Sequence, residues 1–120
     1  MPAKILLVDD DPRSLQNLGQ FLRSEGYDVS ESCDGSEAAT MLVNEAFDLI
    51  ISDVIMPGVS GLQLLDGIRS FAPKIPVLFM TGFGSIYRNQ MIERGATDLI
   101  TKPFDLNEVL SKVELALLMR

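Results

Sequence analysis

Along the chain, short apolar runs alternate with stretches in which apolar residues recur every three or four positions. Lys4 to Val8 is the first run and predicts a strand. Asp11 and Pro12 follow as N-cap and first residue of a helix whose apolar face is Leu15, Leu18 and Leu22, and which Gly26 ends. Tyr27 to Glu31 alternates weakly and predicts a second strand. Asp34-Gly-Ser-Glu37 has the form of a capping box, in which two side chains satisfy each other's backbone N–H groups; Ala38, Met41 and Leu42 continue that helix. Phe47 to Ile51 is an almost unbroken apolar run, the mark of a strand covered on both faces, and it leads to Asp53.

After a turn at Pro57 and Gly58, Gly61 to Phe71 reads as a third helix and Ile75 to Met80 as a buried strand stopping at Thr81. Ser85 to Arg94 is a weaker helical pattern closed by Gly95, and Asp98 to Thr101 a short fifth strand before Lys102 and Pro103. Asp105-Leu-Asn-Glu108, a second capping box, opens a last helix through Leu118. The late leucines Leu115, Leu117 and Leu118 are expected to face the core, with a dimer face on this helix as the alternative. Strands alternating with helices over short connections predict an α/β fold, a doubly wound five-stranded parallel sheet with helices on both faces. In such sheets ligands bind beyond the carboxyl ends of the strands.

Composition narrows the chemistry. The 120 residues, 47% hydrophobic and 22% charged, fit one domain over residues 1–120. A net charge of -7 argues against binding nucleic acid or an anionic membrane. No apolar run approaches a membrane span and Met1 leads into a strand pattern without a signal-peptide layout, so the expected location is the cytoplasm. Cys33 is the only cysteine, which excludes an internal disulfide and is expected to be inert. There is no histidine, which removes Ser-His-Asp and Cys-His catalysis and His-ligated zinc.

What remains is carboxylates, hydroxyls and lysines, and they stand at the predicted strand ends. Asp9, Asp10 and Asp11 follow strand one, Asp53 ends strand three, Thr81 ends strand four and Lys102 follows strand five. If strands one and three are neighbours, their ends are about 5 Å apart. Two carboxylates about 4 Å apart repel by roughly 4 kcal/mol at an effective dielectric near 20, so the cluster calls for a proton, a cation or water. All-oxygen ligands favour a hard cation such as Mg2+. An acidic pocket with a lysine and a hydroxyl beside it suits a phosphoryl group, with Asp53 as nucleophile, Lys102 as counter-charge and Thr81 as donor to a phosphate oxygen.

The stretches ILLVDDDP, CDGSEA, FDLIISDVIMPGVSGLQLL, IPVLFMTG and GATDLITKPF, in this order from end to end, resemble the receiver domain of two-component response regulators, the class that includes the chemotaxis regulators. The resemblance implies a flavodoxin-like sheet in the order 2-1-3-4-5. It implies that Asp53 accepts a phosphoryl group from a sensor histidine kinase or phosphotransfer protein, and that the resulting switch changes the binding of a partner or output domain through the helix 4, strand 5 and helix 5 face. It also implies Mg2+ held by Asp10 and Asp53 directly, by Asp9 through water and by the backbone carbonyl of Ile55. Thr81 and Lys102 match the family's switch hydroxyl and lysine, and the bond from Lys102 to Pro103 is expected to be cis. Asp11 is left to cap the helix. The resemblance thus implies a signalling phosphoacceptor that catalyses only its own phosphotransfer and dephosphorylation.

Members commonly carry Tyr or Phe three residues before the lysine, where this chain has Leu99, so coupling has to pass through another apolar rearrangement or through Tyr87. Ile55 and Phe83, apolar residues expected to flank the phosphate with Met56 packing nearby, predict slow hydrolysis of the aspartyl-phosphate. Three other readings stand beside this one. A phosphatase on a doubly wound sheet would pair Asp9 with Asp11. A nucleotide- or flavin-binding protein lacks its glycine-rich fingerprint here. A receiver that signals without phosphorylation is kept open by Leu99.

Overall fold

The computed structural model describes residues 2–54, 60–71, 74–82 and 84–119, with the backbone alone at 71 and 84–87. The expected turn at Pro57 and Gly58, the Ile55 carbonyl, Met56, Phe83 and the Tyr87 side chain lie outside the described residues. The elements alternate as β1 (Lys4–Val8), α1 (Pro12–Ser24), β2 (Asp28–Ser32), α2 (Gly35–Asn44), β3 (Leu49–Asp53), α3 (Gly61–Phe71), β4 (Val77–Thr81), α4 (Gly84–Glu93), β5 (Asp98–Thr101) and α5 (Leu106–Leu118). All strand pairs are parallel, in the order β2-β1-β3-β4-β5. Strand order reverses between β1 and β3, which places the ligand crevice beyond Val8 and Asp53.

The two-residue period of a strand divides the core into two layers. Leu6, Val8, Ile50, Val77, Phe79 and Leu99 face one side and pack with Ala38 and Leu42 of α2, Leu64, Leu65 and Ile68 of α3, and Met91 of α4. Ile5, Leu7, Leu49, Ile51, Leu78, Met80 and Ile100 face the other and meet Leu15, Leu18 and Leu22 of α1 and Val109, Val113 and Ala116 of α5. Strands β3 and β4 are buried at every position, which explains why their sequences are apolar runs rather than alternations. Leu115 and Leu118 do not join the core: they are exposed, and of the three late leucines only Leu117 packs against it. The turn that buries Val109, Val113 and Ala116 points the other two outward. Among the described residues no helix is long and apolar enough to cross a membrane.

Helix starts follow the sequence closely. Asp11 caps α1, its Oδ1 accepting from the Arg13 N–H at 3.0 Å with Pro12 at the first helical position. Asp34 accepts from Glu37 N–H at 2.7 Å and Asp105 from Asn107 N–H at 2.7 Å. A box closed in both directions occurs elsewhere, at α3: Ser60 N–H donates to Gln63 Oε1 at 2.9 Å and Gln63 N–H to Ser60 Oγ at 3.2 Å. At the other end of α3, Arg69 donates to the Gly95 carbonyl through Nε (3.1 Å) and Nη2 (2.6 Å), and to the Ile75 carbonyl through Nη1 (2.7 Å). Gly67, in the same helix, has open space where a Cβ would stand. Gly67→Ala is therefore expected to stabilise the fold by about 0.5–1 kcal/mol through backbone entropy, read as a higher urea midpoint at unchanged slope.

An ionic clip joins α4, β5 and α5. Asp98 accepts from Arg88 Nη1 at 3.0 Å, from Lys112 Nζ at 3.0 Å and from the Leu99 N–H at 2.8 Å. Burial alone would raise the Asp98 carboxyl, but these donors outweigh it and hold the group below 3.8. A depressed folded value means that the clip stabilises above the unfolded value near 4 and that this contribution disappears as pH falls through the folded value. Asp98→Asn should lower stability by about 0.5–1 kcal/mol at pH 7, the clip being partly exposed and screened, and the gap to wild type should close in urea titrations below about pH 4.

Candidate functional site

At the carboxyl edge of the sheet, three strands and one turn bring the site together. Strand β1 delivers Asp9, which is 1% exposed, and then the exposed Asp10. The Asp9 N–H donates to the Ser32 carbonyl at 3.1 Å, and Asp9 Oδ1 accepts from the Asp11 N–H at 2.9 Å, so this carboxylate is held at both ends of its residue. Neighbouring β3 delivers Asp53, whose backbone is in register with Met80; Thr81, buried, stands one position further along β4. Lys102 arrives from the turn after β5, tied down by its N–H to the Thr81 carbonyl at 2.8 Å and followed by a cis bond to Pro103.

The Lys102 ammonium reaches between two buried carboxylates. Its Nζ is 2.9 Å from Asp53 Oδ2 and 3.5 Å from Asp9 Oδ2. Burial pushes the Asp53 carboxyl up to about 6, the Lys102 hydrogen bond pulling it down and the adjacent Asp9 carboxylate pushing it further up. Burial would lower Lys102, but Asp53 and Asp9 together hold it above its ordinary value. The two shifts agree: one ammonium does not neutralise the negative charge gathered here.

A cation fits what is left. Ligand oxygens of Asp9, Asp10 and Asp53 all lie within 4.8 Å of one another. Asp9 Oδ2 is a buried oxygen with no close hydrogen bond, the shared Lys102 ammonium standing 3.5 Å away. A buried carboxylate oxygen with so distant a donor is costly, and a hard cation is the ligand that an all-carboxylate set prefers. The three residues can hold a metal ion.

Asp9, Asp10, Asp53, Thr81 and Lys102, all singled out from the sequence, thus converge on one edge. Asp11 does not belong to the cluster; its carboxylate is committed to capping α1, which removes support from the pairing of Asp9 with Asp11 that a phosphatase would use. Leu99, in register with Phe79, is buried in the layer that contains Phe79 and Met91. A hollow of about 700 Å³ lies around Pro2, Asp28 and Phe47 at the opposite edge of the sheet, away from all of these groups. One residue at the site escaped sequence reasoning: Gly61, whose N–H donates to the Val54 carbonyl at 2.9 Å beside Asp53. Its only signal is its place inside the Ser60-Gly-Leu-Gln63 box.

A family model for the response regulator receiver domain matches residues 5–114. The chain belongs to the response regulator receiver family. Among its relatives, the response regulator protein FleR of Pseudomonas aeruginosa is 43% identical over 115 residues, which cover 94% of this chain and 24% of FleR. The transcriptional regulatory protein GlrR of Escherichia coli is 39% identical, covering 97% of this chain and 26% of GlrR. This receiver therefore spans about a quarter of the length of those two relatives. Among solved structures, the chemotaxis protein CheY4 of Vibrio cholerae superposes with a TM-score of 0.90 at 33% identity, covering 97% of this chain and 99% of that one. A putative response regulator from Chloroflexus aurantiacus gives 0.92 at 32% identity, covering 98% and 99%. Both are similar over nearly their whole length, in keeping with the observed strand order.

Proposed function

We propose that this receiver is a Mg2+-dependent phosphoacceptor in which Asp53 takes a phosphoryl group from a phosphohistidine on a sensor histidine kinase or phosphotransfer protein. The observation that carries the reading is the Lys102 ammonium set 2.9 Å from one buried carboxylate and 3.5 Å from another at the strand ends. A bare structural ion pair needs one carboxylate; a phosphoryl site needs surplus acid on one side for a cation and an ammonium on the other. Asp10 and Asp53 would ligate the ion, with Asp9 beside them and Ile55 offering its carbonyl, and bound Mg2+ would neutralise the phosphoryl oxygens. A carboxylate oxygen of Asp53 forms the new P–O bond as the donor's P–N bond breaks, and the electron pair leaves with the imidazole, which takes a proton from solvent. Lys102 pairs with a phosphoryl oxygen in place of its present partner, and Thr81 donates its hydroxyl to another.

Transfer exchanges a carboxylate and its ammonium partner for a more highly charged group that competes for the same ammonium and hydroxyl. That change biases a two-state equilibrium of the β4 and β5 ends, and through the α4, β5 and α5 face alters the affinity of a partner, a second copy or a linked output domain. GlrR is named a transcriptional regulatory protein. Control of a regulatory output of that kind, in the cytoplasm and without direct nucleic-acid contact by residues 1–120, is the role we assign. The test is intact-mass analysis after incubation with acetyl phosphate and Mg2+, run beside a chelator control and Asp53→Asn. A single phosphoryl gain that requires both the metal and Asp53 is expected; a gain that survives in Asp53→Asn would overturn the assignment.

A further inference from the structure

Two glycines of α3 differ in what surrounds them. A methyl group on Gly67 would meet nothing within 4 Å, whereas one on Gly61 would lie 2.6 Å from the Asp53 carbonyl oxygen, 2.9 Å from Val54 Cα and 2.9 Å from Phe79 Cε1. Two of these three neighbours are backbone, which has no rotamer by which to withdraw. The third is the edge of a fully buried ring held between β3 and β5, where Phe79 is in register with Ser52 and Leu99. The first turn of α3 is also fixed in place: Gly61 N–H donates to the Val54 carbonyl at 2.9 Å, Leu64 N–H to the Ser60 carbonyl at 2.9 Å, and the Ser60–Gln63 box closes over both.

We propose that Gly61 is a positioning residue for Asp53: lacking a side chain, it lets α3 seat directly against the carbonyl of Asp53, and this seat fixes where the end of β3 presents its carboxylate. The inference rests on Asp53 being the phosphoacceptor. A Cβ at residue 61 has to move either the helix, at the loss of its bond to Val54, or the strand end. Since the capping box and the Val54 bond hold the helix, the strand end yields, and the carboxylate leaves its place beside Asp9, Asp10 and Lys102. Displacement of a reacting group by about 1 Å costs on the order of 100-fold in rate, and disturbance of groups that support metal ligands about 10-fold or more in affinity.

The experiment compares wild type, Gly61→Ala, Gly67→Ala and Asp53→Asn in two readouts: calorimetric titration of the metal-free protein with Mg2+, and the rate of phosphoryl gain from acetyl phosphate at saturating Mg2+. Gly61→Ala is expected to bind Mg2+ about 10-fold more weakly and to react about 100-fold more slowly while keeping its circular dichroism spectrum, with Gly67→Ala equal to wild type in both. A folded Gly61→Ala with wild-type affinity and rate overturns the proposal, and so does a variant that loses its fold, because Gly61 would then serve packing alone. Phe79→Leu withdraws the ring edge and leaves the backbone contacts, so the defects should persist in Gly61→Ala/Phe79→Leu; recovery there would assign the glycine to the ring and overturn its role toward Asp53. Wild type that binds Mg2+ but gains no phosphoryl group would overturn the phosphoacceptor reading, while the metal titration still judges Gly61; wild type that binds no divalent ion overturns both.

Discussion

Asp53→Asn is expected to abolish phosphoryl gain and, in the metal-free protein, to raise stability by about 1–2 kcal/mol at pH 7. Loss of reaction follows from removal of the nucleophilic oxygen. The gain follows from the charge balance at the strand ends, where one ammonium serves two buried carboxylates. A carboxyl pushed up to about 6 is charged at pH 7 only at a cost. At about 1.4 kcal/mol per pKa unit that cost is at most roughly 3 kcal/mol, and the smaller cost of burying the asparagine amide brings the gain down to the expected figure. Asparagine removes the buried charge and, with it, the repulsion from Asp9, and leaves Lys102 paired with Asp9. Urea midpoints measured in a chelator provide the check; a lower midpoint for the variant would mean that the Lys102 pair, and not the repulsion, dominates. Saturating Mg2+ should reverse the order of stabilities, since an ion that binds the folded state stabilises it by mass action and the variant lacks one of the proposed ligands.

Phe79→Ala is expected to cost about 3–5 kcal/mol, a large share of the 5–15 kcal/mol that ordinarily separates folded from unfolded domains. The ring is fully buried in the layer under α3 and α4, and its neighbours in register, Ser52 and Leu99, are too short to fill the space. With no tryptophan in the chain, urea unfolding followed by far-UV circular dichroism gives the measurement. A loss under about 1 kcal/mol would indicate that the helices settle into the vacated volume, since the cost of such changes tracks the residual cavity.

The parts of the structure that were legible in the sequence were those encoded locally. Asp11-Pro12 and Asp34 to Glu37 specify helix starts by side chains that bond backbone two or three residues away, and the apolar runs ending at Asp53 and Thr81 state that both faces of a strand are covered. Boundaries slipped where a backbone group was already engaged elsewhere. Strand β2 begins at Asp28 because the Tyr27 N–H closes α1 on the Leu22 carbonyl at 3.2 Å, and β4 begins at Val77, Pro76 before it having no N–H to give a ladder. The site residues were legible because each stands at a strand end, where parallel topology forces convergence. The grip of Arg69 on carbonyls of two loops and the bare contact of Gly61 with Asp53 were not, since both depend on backbone from distant parts of the chain and neither leaves a periodic trace.

That grip has a mechanical meaning. Arg69 binds the far end of α3 to the Gly95 and Ile75 carbonyls through three hydrogen bonds. A helix fastened at one end answers a push at the other by turning and not by sliding. Over the eight residue steps from Gly61 to Arg69, about 12 Å of helix, a displacement of about 1 Å at the first residue becomes a rotation of about 5° with Arg69 as fulcrum. Because the Gly61 N–H is bonded to the Val54 carbonyl, the end of β3 and the first turn of α3 move as one, so a shift of the Asp53 backbone would carry that turn along as a tilt beside α2, with the guanidinium as its axis.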